Sequence, residues 1–281
     1  MKFAINIPNF GNYVNPIDIA KLAKKAEDAG WDGFFLWDHL TVMKGVAIPF
    51  LDPWIVLAAI AMETEKIKIG TWVTPIPRRR PWKVARETVS LDHLSNGRLI
   101  LGVGLGTPES DFTTFGESFD KKIRAKKLDE SLEILLGLWS GENFSFKGEF
   151  YEINNAQFMP KPVNNQIPIW VAGIWPNKNP FIRAAKYDGV CPISANWPQE
   201  LTPGEVKEII EFIDQYRKKK NNFDINISGN TPGKTSEAAK IVKQYEEVGI
   251  TWWCENINGL RFSNDPEKME KRIIQGPPQK K

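Results

Sequence analysis

Histidine and cysteine are scarce in this chain, two of each in 281 residues. The sequence holds no His-x-His pair and no facial triad, and neither Cys191 nor Cys254 has metal-ligand spacing, which argues against a protein-held metal centre. Two cysteines near predicted strands read as buried thiols of a reducing compartment, with a disulfide as the alternative. No Gly-x-Ser-x-Gly elbow is present, so a hydrolase of that type is excluded. No apolar run reaches membrane-spanning length, and the N-terminal stretch MKFAINIPNFG lacks a signal-peptide core; the expectation is a soluble cytoplasmic protein. Charge of one sign is also missing. Lys+Arg 37 against Asp+Glu 34 leaves +3, too balanced to point to nucleic acid or a membrane surface. The Lys-rich pieces, Arg217 to Lys220 and Gln279 to Lys281, read as solvated ends.

What the chain has is hydrophobic pattern, with 42% hydrophobic residues and a rhythm of helices and strands. From Val84 to Gly106 a helical stripe leads through the turn dipeptide Asn96-Gly97 into the unbroken apolar run Leu99-Ile100-Leu101. A strand without polar alternation is buried on both faces. Gly102, Gly104 and Gly106 follow, where glycine allows close approach of a ligand and unusual backbone conformations. Further strands are expected at Phe3 to Ile7, Gly33 to Trp37, Ile67 to Val73, Ile167 to Ala172, Gly189 to Ile193, Ile225 to Ser228 and Ile250 to Cys254. Helices start at Asn15-Pro16, Asp52-Pro53, Pro81, Asp120 and the capping box Thr202 to Glu205, and a last one runs near Pro266 to Ile274. Eight strands alternating with helices predict one (β/α)8 TIM barrel over residues 1–281.

The rhythm breaks once, between strands four and five. Residues 107–166 hold a long helix and a hairpin around Phe144 to Ile153, and read as an insertion covering the barrel mouth. The rival fold, an open dinucleotide-binding sheet, would need G-x-G-x-x-G after the first strand. Asn9-Phe10-Gly11 stands there instead, and Gly102-Val-Gly104-Leu-Gly106 has the wrong spacing.

In a barrel the site is built from residues at the carboxyl ends of the strands. These are Asn9 and Phe10; Trp37, Asp38 and His39; Thr74, Pro75 and Pro77; Gly106 and Thr107; Gly173 to Lys178; Ser194 and Asn196; Gly229 and Asn230; Glu255 and Asn256. Phe10, Trp37, Trp72, Trp170, Trp175, Trp197, Trp252 and Trp253 lie at or near strand ends, a mouth for a flat hydrophobic ligand. His39 is the imidazole in a position to move a proton, with a packing role as the alternative. Asp38 beside it points the other way if the strand continues. His93, on a helix beside Asp92, reads as structural, and Asp92 and Arg98 as ties for the turn below strand four. Arg78-Arg79-Arg80 reads either as a phosphate contact or as a solvated face. Gly173 to Lys178 opens a helix and reads as a phosphate seat. Glu109, Ser110 and Asp111 read as the acidic first turn of a short helix.

Several pieces together resemble the bacterial luciferase-like monooxygenase family. They are Ala29-Gly-Trp-Asp-Gly33, Trp37-Asp38-His39, Val73-Thr74-Pro75, and Leu91-Asp-His-Leu-Ser-Asn-Gly-Arg98 running into Gly102 to Gly106. Leu128-Asp-Glu130, Leu138-Trp139, Gly148 to Tyr151, Pro160-Lys-Pro162 and Pro168 to Gly173 continue the series. The resemblance implies a barrel holding FMN, or the deazaflavin F420, at its mouth. It implies a non-proline cis peptide at Val73-Thr74 behind the ring, His39 near the reactive edge, and a phosphate segment from Gly173 onward. The residues expected against the cofactor are thus Asp38, Val73, Thr74, Gly106, Thr107, Gly173, Ile174, Trp175, Asn177 and Lys178. Some F420-dependent sugar phosphate dehydrogenases carry a glutamate after the strand-four glycines, where this chain has Thr107. The first functional reading is a monooxygenase acting on a small apolar substrate with O2 and reduced FMN, the latter supplied by a separate flavin reductase. The alternatives are an F420-dependent hydride-transfer oxidoreductase and a non-catalytic flavin-binding barrel. The resemblance also implies a homodimer.

Overall fold

The computed structural model describes residues 1–278 except 12–13, 42–44, 46 and 219–221. Lys219, Lys220 and the tail Gln279 to Lys281 therefore lie outside the described residues. Eight parallel strands close a barrel: β1 Lys2–Ile7, β2 Gly33–Leu36, β3 Lys68–Pro75, β4 Leu99–Gly104, β7 Ile169–Trp175, β8 Gly189–Ser194, β9 Asp224–Gly229 and β10 Trp252–Asn256. Between β4 and β7 the antiparallel pair β5 Phe144–Lys147 and β6 Glu152–Ala156 stands apart. The helices are α1 Pro16–Asp28, α2 Pro53–Glu63, α3 Pro81–Leu94, α4 Ser110–Thr113, α5 Lys121–Trp139, α6 Lys178–Ala184, α7 Pro203–Asp214, α8 Ser236–Glu247, α9 Gly259–Phe262 and α10 Pro266–Ile274. The chain is a (β/α)8 TIM barrel.

The helix starts follow their caps. Asn15 accepts from the N–H of Ile17, Asp52 from those of Trp54 and Ile55, and Asp120 from that of Ile123. Thr202 and Glu205 form the reciprocal box at α7. Each cap satisfies N–H groups that the first helical turn leaves unpaired.

Strand β2 shows how the layers are filled. Phe34 and Leu36 join the large core between sheet and helices, while Phe35 joins a second cluster inside the barrel with Ala4, Ile100, Trp170, Cys191, Trp252 and Cys254. The rings of Phe35, Trp170 and Trp252 pack with centroids 5.3–6.1 Å apart. A Cβ at Gly189 would lie 2.4 Å from the Trp170 ring, so glycine there makes room for the indole. Both cysteines are free thiols inside this plug, not a disulfide.

Residues 107–166 do not cover the mouth as a unit. Helix α5 packs on α3 as the helix of the fourth βα unit. The hairpin lies along its flank, where Glu130 of α5 accepts the N–H groups of Glu149, Phe150 and Tyr151. The chain then returns to the amino ends of the strands, where Asp92 accepts from Val163 N and His93 Nε2 meets Lys161 O. Arg98 ties that end as expected, donating to the carbonyls of Ala61, Thr64, Ser95 and Ile67.

Candidate active site

At the carboxyl ends of the strands the inward-facing side chains become half-exposed. Above the buried plug stand Trp37, Trp72, Val73, Ala172, Ile193, Ser228 and Asn256, and Ile174 at 45% exposure. Phe10 packs against both Trp37 and His39. This is an open depression with an apolar floor. A groove of about 460 Å³ along α10 is lined by Pro266 to Gln275 and by no strand-end residue, so lining chemistry locates the site.

His39 sits at the end of β2, its backbone held by Asn9: Asn9 Nδ2 donates to His39 O at 2.9 Å, and His39 N donates to Asn9 Oδ1 at 3.1 Å. Its ring is held by Asp111, whose Oδ2 lies 3.0 Å from Nδ1. Asp111 also accepts from Arg78 Nη1 at 2.9 Å and from the N–H groups of Leu40 and Thr41. Burial alone would push the Asp111 carboxyl up; hydrogen bonds from His39 and Thr41, with the charges of His39 and Arg78, outweigh it and hold the group below the usual carboxylate range. With Asp111 ionised, Nδ1 is the His39 nitrogen that carries a proton toward it, and Nε2 is the one that can give up or take a proton.

Asp38 is brought near this group but not into the mouth. It is 2% exposed and takes Arg78 Nη2 at 2.6 Å and Arg79 Nη2 at 2.9 Å. The arginine run divides: Arg78 and Arg79 neutralise Asp38 and Asp111, while Arg80 is exposed and lies over the Trp82 ring. Asp111 was read only as part of an acidic helix turn because its partners arrive from two other segments, the loop after β2 and Arg78 after β3. Its position just after the strand-four glycines was the available signal.

The other expected positions divide. Val73 and Ile174 face the depression; Thr74 is fully buried, its hydroxyl bonded to that of Thr71. The non-proline cis peptide lies one bond earlier than the resemblance implied, at Trp72-Val73. Trp72 and Val73 both pack on the inner cluster, and the β3–β4 register shifts between Thr71 and Thr74. Gly106 takes φ +88, but the space beside it is filled by Phe112 and Pro75. A Cβ at Gly102 would fall 2.1 Å from Thr71 O, and one at Gly104 2.9 Å from Val73 Cγ2, so these glycines admit β3 rather than a ligand. Thr107 is exposed beyond them. Gly173 is buried against Pro180, and Asn177 is exposed at the start of α6, its side chain making no capping hydrogen bond. Trp175 faces the helices against Phe181 and Phe212, and Lys178 Nζ rests 3.5 Å from its ring centroid. Trp170, Trp252 and Trp253 are fully buried and do not line the mouth. Glu255 also leaves the mouth: fully buried, it is bonded by Thr231, Trp253 and Arg261.

Residues 1–249 match the model of the luciferase-like monooxygenase family. The chain belongs to that family. Among curated proteins it is similar to an F420-dependent glucose-6-phosphate dehydrogenase of Amycolatopsis mediterranei, 33% identical over 161 residues, which is 56% of this chain and 47% of that protein. The chain thus spans about half the length of the curated relatives it matches first. Among solved structures, an F420-dependent secondary alcohol dehydrogenase in complex with an F420-acetone adduct superposes with a TM-score of 0.76 at 18% identity, over 97% of this chain and 98% of that one. The F420-dependent tetrahydromethanopterin reductase of Methanopyrus kandleri gives 0.76 at 17% identity over 98% of both. Likenesses at this identity speak to the luciferase-like barrel fold.

Proposed function

We propose that this luciferase-like protein is an F420-dependent oxidoreductase that moves hydride between the deazaflavin and an alcohol or carbonyl substrate. The observation that carries the reading is His39, half-buried beside the apolar mouth with Nδ1 3.0 Å from buried Asp111, which leaves Nε2 as the nitrogen able to take a proton. Alcohol oxidation needs a base for the hydroxyl proton beside the hydride acceptor. The curated relative named as F420-dependent supports the same cofactor class, displacing FMN as the first choice.

The residues present fit a planar tricyclic ring. Trp72, Val73, Ala172 and Ile174 offer an apolar seat. Bound F420 supplies the hydride acceptor or donor. His39 Nε2 takes the substrate hydroxyl proton, and Asp111 stabilises the resulting imidazolium. Phe10 and Trp37 shield the imidazole from water. We read the protein as cytoplasmic, consistent with its free buried thiols, and as a homodimer, consistent with the apolar outer face of α2, where Ile55 and Met62 are 64% and 72% exposed.

The test is an anaerobic assay of F420 reduction with simple secondary alcohols, run beside oxygen uptake with reduced FMN. Alcohol-dependent F420 reduction without FMN-dependent substrate oxidation is the expected result. Substrate oxidation only with reduced FMN and O2 would replace this reading with the monooxygenase one, and a separate flavin reductase would then be required.

A further inference from the structure

Across the mouth from His39, the ends of β8, β9 and β10 enclose a small pocket lined by Ser194, Trp197, Glu200, Ser228 and Asn256. Its volume, about 30 Å³, suits one small polar group. Glu200 is set into its wall. Asn230 Nδ2 donates to Glu200 Oε1 at 2.5 Å, and Gly229, whose missing Cβ leaves room chiefly for the Trp253 ring, has the Glu200 carboxylate beside it on β9. Asn256 Oδ1 accepts from Asn6 Nδ2, whose own Oδ1 accepts from Trp37 Nε1, linking the pocket to the floor of the depression. Neither lysine nor arginine is among the lining residues.

We propose that this pocket binds a hydroxyl of the substrate remote from the reacting carbon, and that the enzyme thereby selects uncharged polyhydroxylated substrates over phosphorylated ones. The inference rests on the F420-dependent reading above. A hydroxyl can donate to Glu200 and accept from Ser194, Ser228 or the Asn256 amide at once. An ammonium group would satisfy the carboxylate but offers no acceptor to those donors. A phosphate would meet the carboxylate with like charge, and Arg261, the cation whose charge reaches Glu200, is already committed to Glu255 and to the carbonyls of Asn256 and Thr231. Burial, with Glu255 nearby, pushes the Glu200 carboxyl up, against the hydrogen bonds from Asn230 and the charge of Arg261, which suits a partly desolvated contact with a neutral group.

The test compares glucose, glucosamine, glucose 6-phosphate and 2-propanol in anaerobic F420 reduction, with wild type and Glu200→Gln. Glucose is expected to exceed glucose 6-phosphate in kcat/KM by about tenfold or more. Glu200→Gln is expected to raise KM for glucose by about tenfold and to leave 2-propanol turnover unchanged. Preference for glucosamine or glucose 6-phosphate, or equal kinetics of the two proteins on glucose, would overturn the proposal. If no alcohol reduces F420, the functional reading fails separately. The pocket is then judged by ligand-observed NMR of the cofactor-free protein with glucose: binding weakened by Glu200→Gln upholds it, and no binding or equal binding overturns it.

Discussion

At His39 the choice of proton-bearing nitrogen is made by Asp111, 3.0 Å away. Replacing Asp111 by Asn keeps an acceptor but removes the charge that stabilises an imidazolium. Turnover is expected to fall by about 10- to 100-fold, with the pH profile displaced and the circular dichroism unchanged. His39→Ala is expected to lower turnover further with the fold intact; unchanged kinetics would leave His39 a packing residue. The carboxylate also links stability to pH. Its folded pKa lies below the unfolded value of about 3.9, so its contribution is present above that value and is lost as pH falls through the folded one. Urea midpoints of wild type and Asp111→Asn should therefore converge as the pH drops below about 4. His39 was legible in the sequence because it follows a strand. Asp111 was not, because the short helix α4 must fold back over the β2 loop before its carboxylate meets the imidazole. Asp38 shows the same limit, since only the fold reveals that Arg78 and Arg79 consume it.

Strands and helix starts were readable because their causes are local. Buried strands announce themselves by unbroken apolar runs, and Asn15, Asp52, Asp120 and Thr202 each stand at the helix start they cap. The place of the β5–β6 hairpin was not readable, because Glu130 gathers its turn from nineteen to twenty-one residues away along the chain. The glycines of β4 were readable as unusual but not as to their cause. Strand β3 passes so close that a methyl group at Gly102 would strike Thr71 O. Gly102→Ala is accordingly expected to cost about 1–3 kcal/mol of stability, seen as a lower urea midpoint with an unchanged slope. An unshifted midpoint would mean that β3 gives way freely.

For the molecule as a whole, the barrel divides into a dry aromatic plug and an open rim. Phe35, Trp170 and Trp252 fill the interior, and half of the eight aromatics that the sequence suggested for the mouth, Trp170, Trp175, Trp252 and Trp253, are spent on support. What remains at the rim is Phe10, Trp37, Trp72 and the lip residue Trp197, 61% exposed. Outside, helix α2 carries apolar residues on every side, a pattern suited to burial rather than to a solvated surface. The proposed homodimer predicts that the paired change Ile55→Lys and Met62→Lys gives a smaller species by sedimentation with secondary structure intact. The rim is tested most directly by titrating the purified chain with F420 and with FMN in a calorimeter. Saturable F420 binding, about tenfold or more tighter than that of FMN, is the expected result. Tighter binding of FMN, or binding of neither, would contradict the account.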